Sequence, residues 1–465
     1  MSAARAPAQP AARPRTPRSL SGFGPWLAFG LVLAFLLVFL LVPIGTVIYT
    51  AFVNETGALT LGHFGTFFST SVFRESFFNS LIVALASVFF ASLIAIPLAY
   101  LTVRFEFRGA LLIQTLGVLP LIMPPFVGAV ALQLIFGRNG SVNLLLNEHF
   151  GFTIPIMDGL VGVTFVESIH YFPFILLNLV AAMRNIDGAM EESALNLGAK
   201  GWSLFRRVIF PLAMPGFLAG AALVFVKVFD DLGTPLVMGV TNMLAPQAYL
   251  RITSVGIDDP LGYVISVIMI AFSILALWMA ARVMKGKDYA TLQKGGNSLQ
   301  KRRLSAWESV LAYGWIIVIL LVTLAPHIGI LLMSFSKVWS FSVLPDAYTL
   351  EHYATIFNDS SRMIGNTLLY CLTAAGLDVI IGTAIGASDG AVLGPIDRVL
   401  GFGHDLPHDV DALGFQPLQV GQGVGIDRFG CGLHGRSRFD RGMMGCRRDV
   451  RVRARHGGRR IRGRG

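Results

Sequence analysis

The residues with the most pointed chemistry lie between positions 184 and 211. Glu191, Glu192, Ser193 and Ala194 are followed by Gly198, Ala199 and Gly201, and then by Leu204, Phe205, Arg206, Arg207, Val208, Phe210 and Pro211. This pattern predicts a helix of roughly seven residues, a tight turn over 198–201 and a second short helix running into the proline. Leu195, Leu204 and Phe205 read as apolar knobs on a water-facing surface, where an unpartnered loop gains little by showing them. The chemistry is docking, and it implies a groove on another protein. A second group is Glu167 and His170, three apart and therefore on one helix face, inside an apolar stretch. Ionisable groups at membrane depth are costly and line transport routes; a buried pair with structural work alone is the competing reading. Asp230 and Asp231, with Lys227 nearby, follow the next apolar stretch and read either as part of that route or as a solvated mouth. No catalytic or cofactor-binding residue is assigned, and a metal ligand set stays undetermined. The three cysteines, Cys371, Cys431 and Cys446, fit no metal signature and are too few and too odd in number for a disulfide framework.

These residues must be held by membrane helices. Of 465 residues, 54% are hydrophobic and only 14% charged, against about 25% charged in soluble domains, and the mean hydropathy is +0.65. The apolar residues sit in blocks of the length that crosses a bilayer. Eight spans are expected, at 25–53, 78–103, 110–136, 159–183, 209–226, 261–282, 310–334 and 367–387. The first follows Arg5, Arg13, Arg15 and Arg18, but its apolar run is too long for a signal peptide and no small-residue cleavage site follows, so it reads as a retained helix. The even-numbered connections carry the basic residues, among them Arg104, Arg108, Arg184, Lys200, Arg206, Arg207, Lys285 and Lys301, and the odd-numbered ones are neutral or acidic. The N-terminus is therefore expected in the cytoplasm. Prolines within the spans, including Pro97, Pro120, Pro124, Pro125 and Pro173, point to helices packed around a pathway.

The chain also repeats itself. Leu61-Gly62-His63-Phe64 matches Leu350-Glu351-His352-Tyr353 at an offset of 289, and Asn79-Ser80-Leu81 matches Asn366-Thr367-Leu368 at 287. Duplicated units are a recurrent transporter plan. The expected organisation is a basic cytoplasmic segment at 1–24, a six-helix unit at 25–284, a cytoplasmic linker at 285–306 and the first two helices of a second unit at 307–387. Residues 388–465 differ in kind: they hold 17 Gly, 14 Arg, 8 Asp and neither Lys nor Glu, and they carry +6 of the chain's net +10. Such a composition does not bury enough apolar surface to fold alone. It reads as a disordered basic tail, or as a G+C-rich gene translated out of frame after about residue 387, and no function is assigned to it.

The 184–211 segment resembles the cytoplasmic loop of bacterial ABC importer permeases, whose pattern is E-A-A, three residues, G, nine residues, I, one residue, L-P. Here Glu192-Ser193-Ala194 precede Gly198 at that spacing, and Val208 and Phe210-Pro211 close it, with Ser193, Val208 and Phe210 as mild departures. The turn Gly137-Arg138-Asn139-Gly140-Ser141-Val142-Asn143 and the run Phe229 to Leu236 are similar to segments of the same family, and the fused double unit is similar to its iron(III) branch. The resemblance implies an all-α polytopic membrane protein with one complete six-helix permease unit and part of a second, not an enzyme. It implies a coupling helix, with Glu192 as polar anchor, that docks on a separate cytoplasmic ABC ATPase dimer carrying ATP and Mg; the chain has no G-x-x-x-x-G-K-[ST] loop of its own. The other implied partners are a periplasmic binding protein and the lipid bilayer of the bacterial inner membrane; nucleic acid is not among them. Ferric iron is the first expected substrate, ahead of polyamine, thiamine or an aminophosphonate. A secondary transporter or channel is the alternative class, and it would place charges at the centre of several spans and lack the coupling loop.

Overall fold

A computed structural model describes residues 30–31, 33–54, 56–106, 109–256, 259–284 and 301–388. The expectations for 1–24, for most of the linker and for the 389–465 segment lie outside the described residues.

The first span is α1 (33–36), continued through a π turn, Leu37–Leu41, into α2 (Val42–Phe52). Short α3 (Gly62–Ser69) leads to α4 (Ser71–Arg104), 34 residues that end in a two-residue strand β1 (Phe105–Glu106). Next come α5 (Ala110–Val118), α6 (Pro125–Phe136), α7 (Ser141–Phe150) and α8 (Gly159–Arg184). The 184–211 segment supplies α9 (Gly188–Asn196) and α10 (Gly201–Leu204), and α11 (Phe210–Phe229) returns through the bundle. Then follow α12 (Gly233–Val237), α13 (Leu244–Ser254) and α14 (Pro260–Met284). Strand β2 (Arg302–Arg303), α15 (Ala306–Phe335), the hairpin β3 (Ser336–Val338) and β4 (Ala347–Tyr348), α16 (Glu351–Asp359) and α17 (Ser361–Ser388) complete the described chain. Among the described residues, eight segments are long and apolar enough to cross a bilayer. The protein is an all-α polytopic membrane protein, and its strands are only two- and three-residue pieces.

The third expected span, 110–136, is not one helix. After α5 the chain tightens into a 3-10 turn, Leu119–Ile122, and Met123 is extended at φ −95° and ψ 138°. Pro124 forces this, because a residue before proline is pushed out of the α region. Pro125 then starts α6 at the position where a missing N–H costs nothing. The break leaves backbone exposed at membrane depth beside α8, and that opening receives His170, as described below.

The centre of the bundle is α8, clasped by α4 and α11. Phe172, Ile175, Leu176, Leu179 and Met183 of α8 are fully buried, as are Leu98 and Ala99 of α4. Two glycines bring α11 against the α8 backbone. A Cβ at Gly216 would stand 2.5 Å from the Asn178 carbonyl oxygen, and one at Gly220 would stand 2.7 Å from Ile175 Cα. This Gly-x-x-x-Gly pair is a membrane packing device, in which small residues let backbones approach so that dispersion replaces the missing hydrophobic drive. It escaped the sequence reading, although the spacing was visible there. The same logic joins α15 to α6: Gly329 of α15 faces Ala131 of α6, and a Cβ there would meet the Ala131 methyl at 3.0 Å. By contrast α17 buries no side chain among the described residues.

Candidate functional site

The docking segment folds as a helix, a turn and a helix, and each step has a local cause. Asp187 caps α9 by accepting the Ala189 N–H at 3.0 Å. At its other end Ala199 N–H reaches back to the Ala194 carbonyl at 3.0 Å and Gly198 N–H to that of Leu195 at 2.9 Å, the paired bonds of a Schellman cap. The cap needs a left-handed residue, and Gly198 supplies it at φ +88°. The glycine of the pattern is therefore a helix terminator. Further along, Pro211 has no N–H for the carbonyl one turn back, and the ladder widens into a π turn, Phe205–Ile209, just ahead of it.

Burial corrects which side chains are offered to a partner. Leu204 and Phe205, expected as outward knobs, are only 5% and 6% exposed. Phe205 packs on Tyr100 of α4, ring centroids 4.9 Å apart, and on Trp202 at 5.2 Å and Phe210 at 5.6 Å. The π turn rotates them inward. Outward-facing instead are Leu197 at 90% exposure and Trp202 at 72%, with Leu195 partly shown. Glu192, Ser193 and Pro211 are exposed, and Ala194, Ala199, Val208 and Phe210 are half-buried. Glu191 turns the other way and forms an ion pair with Arg104, the last residue of α4. A cavity of about 730 Å³ opens beside this pair, lined by Tyr100, Arg104, Glu192, Lys200 and Arg302 among others. Its far wall is the strand pair β1 and β2, parallel, with Phe105 opposite Arg302. Arg302 also lies over the Phe105 ring, its guanidinium carbon 5.7 Å from the centroid, and Glu308 binds its guanidinium and raises its pKa.

The second group assembles at membrane depth. Glu167 is fully buried and His170 is 3% exposed. Asp231 and Thr234 lie beside the Glu167 carboxyl and are the polar side chains that face it. Asp231 is placed by capping α12, accepting the Thr234 N–H at 2.9 Å. It therefore lies with Glu167. Asp230 points elsewhere: it is exposed and accepts the Ser273 hydroxyl of α14 at 3.2 Å. The structure does not bring it into the cluster. His170 faces the Met123 carbonyl at the proline break, and His327 of α15 lies within its electrostatic reach. His327 was not given a role from sequence, because only the packing of α15 on α6 brings it here. Among the described residues, no three His, Cys, Asp or Glu converge closely enough to hold a metal ion, and Cys371 is a free, exposed thiol.

In the connection between α6 and α7 Asn143, 2% exposed, fastens the glycine turn. Its amide donates to the Phe136, Gly137 and Ile154 carbonyls at 3.1, 2.9 and 2.9 Å, and its oxygen accepts the Ile154 N–H at 2.7 Å.

Residues 87–288 match the family of binding-protein-dependent transport system inner membrane components. The ferric transport system permease protein FbpB of Actinobacillus pleuropneumoniae is 26% identical over 324 residues, which is 68% of this chain and 46% of that protein. The chain spans about half the length of the ferric permeases it matches. The molybdenum transport system permease protein ModB of Mycobacterium tuberculosis is 30% identical over 212 residues, 44% of this chain and 78% of that protein. Among solved structures, a bacterial ABC transporter involved in the import of the acidic polysaccharide alginate overlaps 56% of this chain and 96% of its own, with 19% identity and a TM-score of 0.46. The match across 87–288, together with a 30% identical relative of which most is covered, makes this chain a member of the binding-protein-dependent transport inner membrane components, the permeases of ABC importers.

Proposed function

We propose that this chain is the membrane permease of a bacterial importer in which a periplasmic binding protein delivers the substrate and a separate cytoplasmic ABC ATPase dimer supplies the energy. The observation that carries the reading is the docking segment. A glycine-terminated helix and a second short helix, set between two membrane helices, expose Leu197 and Trp202 while burying Leu204 and Phe205. Exposed large apolar side chains on a rigid turn suit a groove on another protein. Glu192 is the polar anchor of that contact, and the basic even-numbered connections support a cytoplasmic N-terminus. Glu167, His170 and Asp231 line the route between α8, α12 and α15, and ATP-driven closure of the partner opens that route outward.

Ferric iron is the proposed substrate. The match to the ferric permeases covers 68% of the chain, more than the 25–284 unit holds, so the likeness runs on into the second unit. Molybdate is the second reading, because the molybdenum permeases match at higher identity over a shorter stretch. Copurification with the ATPase, before and after Glu192→Ala and Gly198→Pro, tests the docking assignment: association and coupling that survive both changes would remove it. Uptake of ferric iron against molybdate by vesicles holding the whole complex decides between the two substrates.

A further inference from the structure

We propose that Arg104 is a positioning residue for energy coupling, which through its buried ion pair with Glu191 makes the cytoplasmic end of α4 move with α9. The inference rests on the reading of 184–211 as the ATPase-docking segment and names the membrane helix that receives its motion. Arg104 and Glu191 are 6% and 13% exposed, whereas every other ion pair among the described residues has a partner at least 33% exposed. Exposed pairs hold little; a buried pair resists separation, because parting it leaves a charge with neither water nor partner. The bond therefore survives when α9 is pushed, and α4 follows.

A second contact makes the joint stiff. Tyr100 lies one turn before Arg104, on the same face of α4, and packs on Phe205 at 4.9 Å. The last turn of α4 thus grips both halves of the docking segment, α9 through Glu191 and the π turn through Phe205. Leu197 and Trp202 stay exposed for the partner. Above the joint, Leu98 and Ala99 are fully buried, so displacement of the α4 end passes into a packed bundle. Arg104 is buried against Glu191 and acts through it.

The test uses the whole complex in vesicles, with ferric iron or molybdate as the probe, whichever the unaltered complex takes up, and reads transport and ATP hydrolysis in parallel. Arg104→Gln and Arg104→Ala are expected to copurify with the ATPase and to hydrolyse ATP, while transport per ATP falls about tenfold. The exchange Arg104→Glu with Glu191→Arg is expected to recover part of that loss. If the single variants do not accumulate, Arg104→Met with Glu191→Leu removes both charges together, a change that buried pairs tolerate for folding, and the same tenfold loss is expected. An unchanged ratio of transport to hydrolysis in Arg104→Gln or in the double apolar variant overturns the proposal, and so does failure of the double variant to accumulate, which would make the pair a folding element. Glu192→Ala is measured alongside: if ATPase association is unaffected there, the docking reading itself fails, whereas weakened association with a normal ratio in the Arg104 variants removes only the role of Arg104.

Discussion

His63 and His352 close the same turn in the two copies of the repeat. Each ring Nε2 meets the carbonyl that ends the preceding long helix, Val53 at 3.4 Å and Ser336 at 2.9 Å. The likeness extends around them. Val53 bridges Leu59 antiparallel, as Ser336 bridges Tyr348. Thr60 accepts the Gly62 N–H at 2.9 Å, and Thr349 accepts the Glu351 N–H at 3.1 Å. A four-residue sequence match that is weak by itself is thus a repeated structural unit, in which a helix end, an extended return and a capped short helix are pinned by one histidine. The Asn79 match behaves differently. Asn79 donates to the Asn242 carbonyl at 2.9 Å and Ser80 accepts the Leu244 N–H at 2.9 Å, so their partners lie far along the first unit. Asn366 and Thr367 are exposed.

Replacing Gly220 tests the α8 and α11 contact. Alanine there would put a Cβ 2.7 Å from Ile175 Cα and 2.8 Å from the Phe174 carbonyl oxygen, both backbone atoms that do not step aside. Gly220→Ala is expected to cost about 1–3 kcal/mol, as overpacking does, and Gly220→Leu to cost more. Thermal unfolding of the purified protein in detergent reads the loss. A melting temperature unchanged in both variants would show that the helices do not approach as closely as described.

Trp202 and Phe205 are three residues apart and are expected to fail differently. Trp202 is exposed and Phe205 buried. Trp202→Ala should leave the melting temperature of the permease alone and weaken ATPase association by about 2 kcal/mol, roughly thirtyfold, the scale of an aromatic anchor. Phe205→Ala should destabilise the permease itself by about 3–5 kcal/mol. Binding of the ATPase by titration, beside a melting curve of each variant, separates the two. The reverse pattern would return Phe205 to the role of an outward knob.

How far these features were legible in the sequence depends on the range of their causes. Span count, the helix, turn and helix of 184–211 and the glycine turn at 198 follow from local patterns, because hydropathy, capping and φ are set within a few residues. Leu204 and Phe205 were misread for a non-local reason: apolar residues on a loop point outward only if nothing inside takes them, and Tyr100, a hundred residues earlier, does. The break at Met123 was legible in Pro124 and Pro125, but the apolar run across them masked it. Asp231 and His327 join Glu167 and His170 through helix packing, which no spacing along one helix reports.

Asn143 offers a sharper test of the glycine turn at 137–143 than a deletion would. Asn143→Ala removes the donor shared by three carbonyls, of which those of Gly137 and Ile154 keep the Gly140 and Ile156 N–H groups, and it leaves the Ile154 N–H without its acceptor, at about 1–3 kcal/mol for a buried group left unpaired. Asn143→Asp keeps the acceptor for the Ile154 N–H but turns a charged oxygen toward carbonyls that need a donor. Aspartate, although nearly the same shape, is therefore expected to melt the turn at least as much as alanine. Proteolysis between 137 and 154, followed in time, measures it. A milder effect of aspartate would mean that the Ile154 N–H bond outweighs the three donations.

Glu167 separates stability from transport. The side chain is fully buried, and Asp231 and Thr234 stand beside it. Burying one carboxyl beside another is destabilising, because neither has water to solvate a charge. Glu167→Gln removes the charge at constant shape and Glu167→Leu removes the polarity as well. Both are expected to keep or raise the melting temperature, because each relieves that cost, and both are expected to lower uptake. Such an opposite movement is what functional sites held at a cost in stability show. Melting curves and vesicle uptake on the same preparations give the two readings. If uptake is unchanged while stability rises, Glu167 does not line the route; if stability and uptake fall together, its work is structural and the transport route runs elsewhere in the bundle.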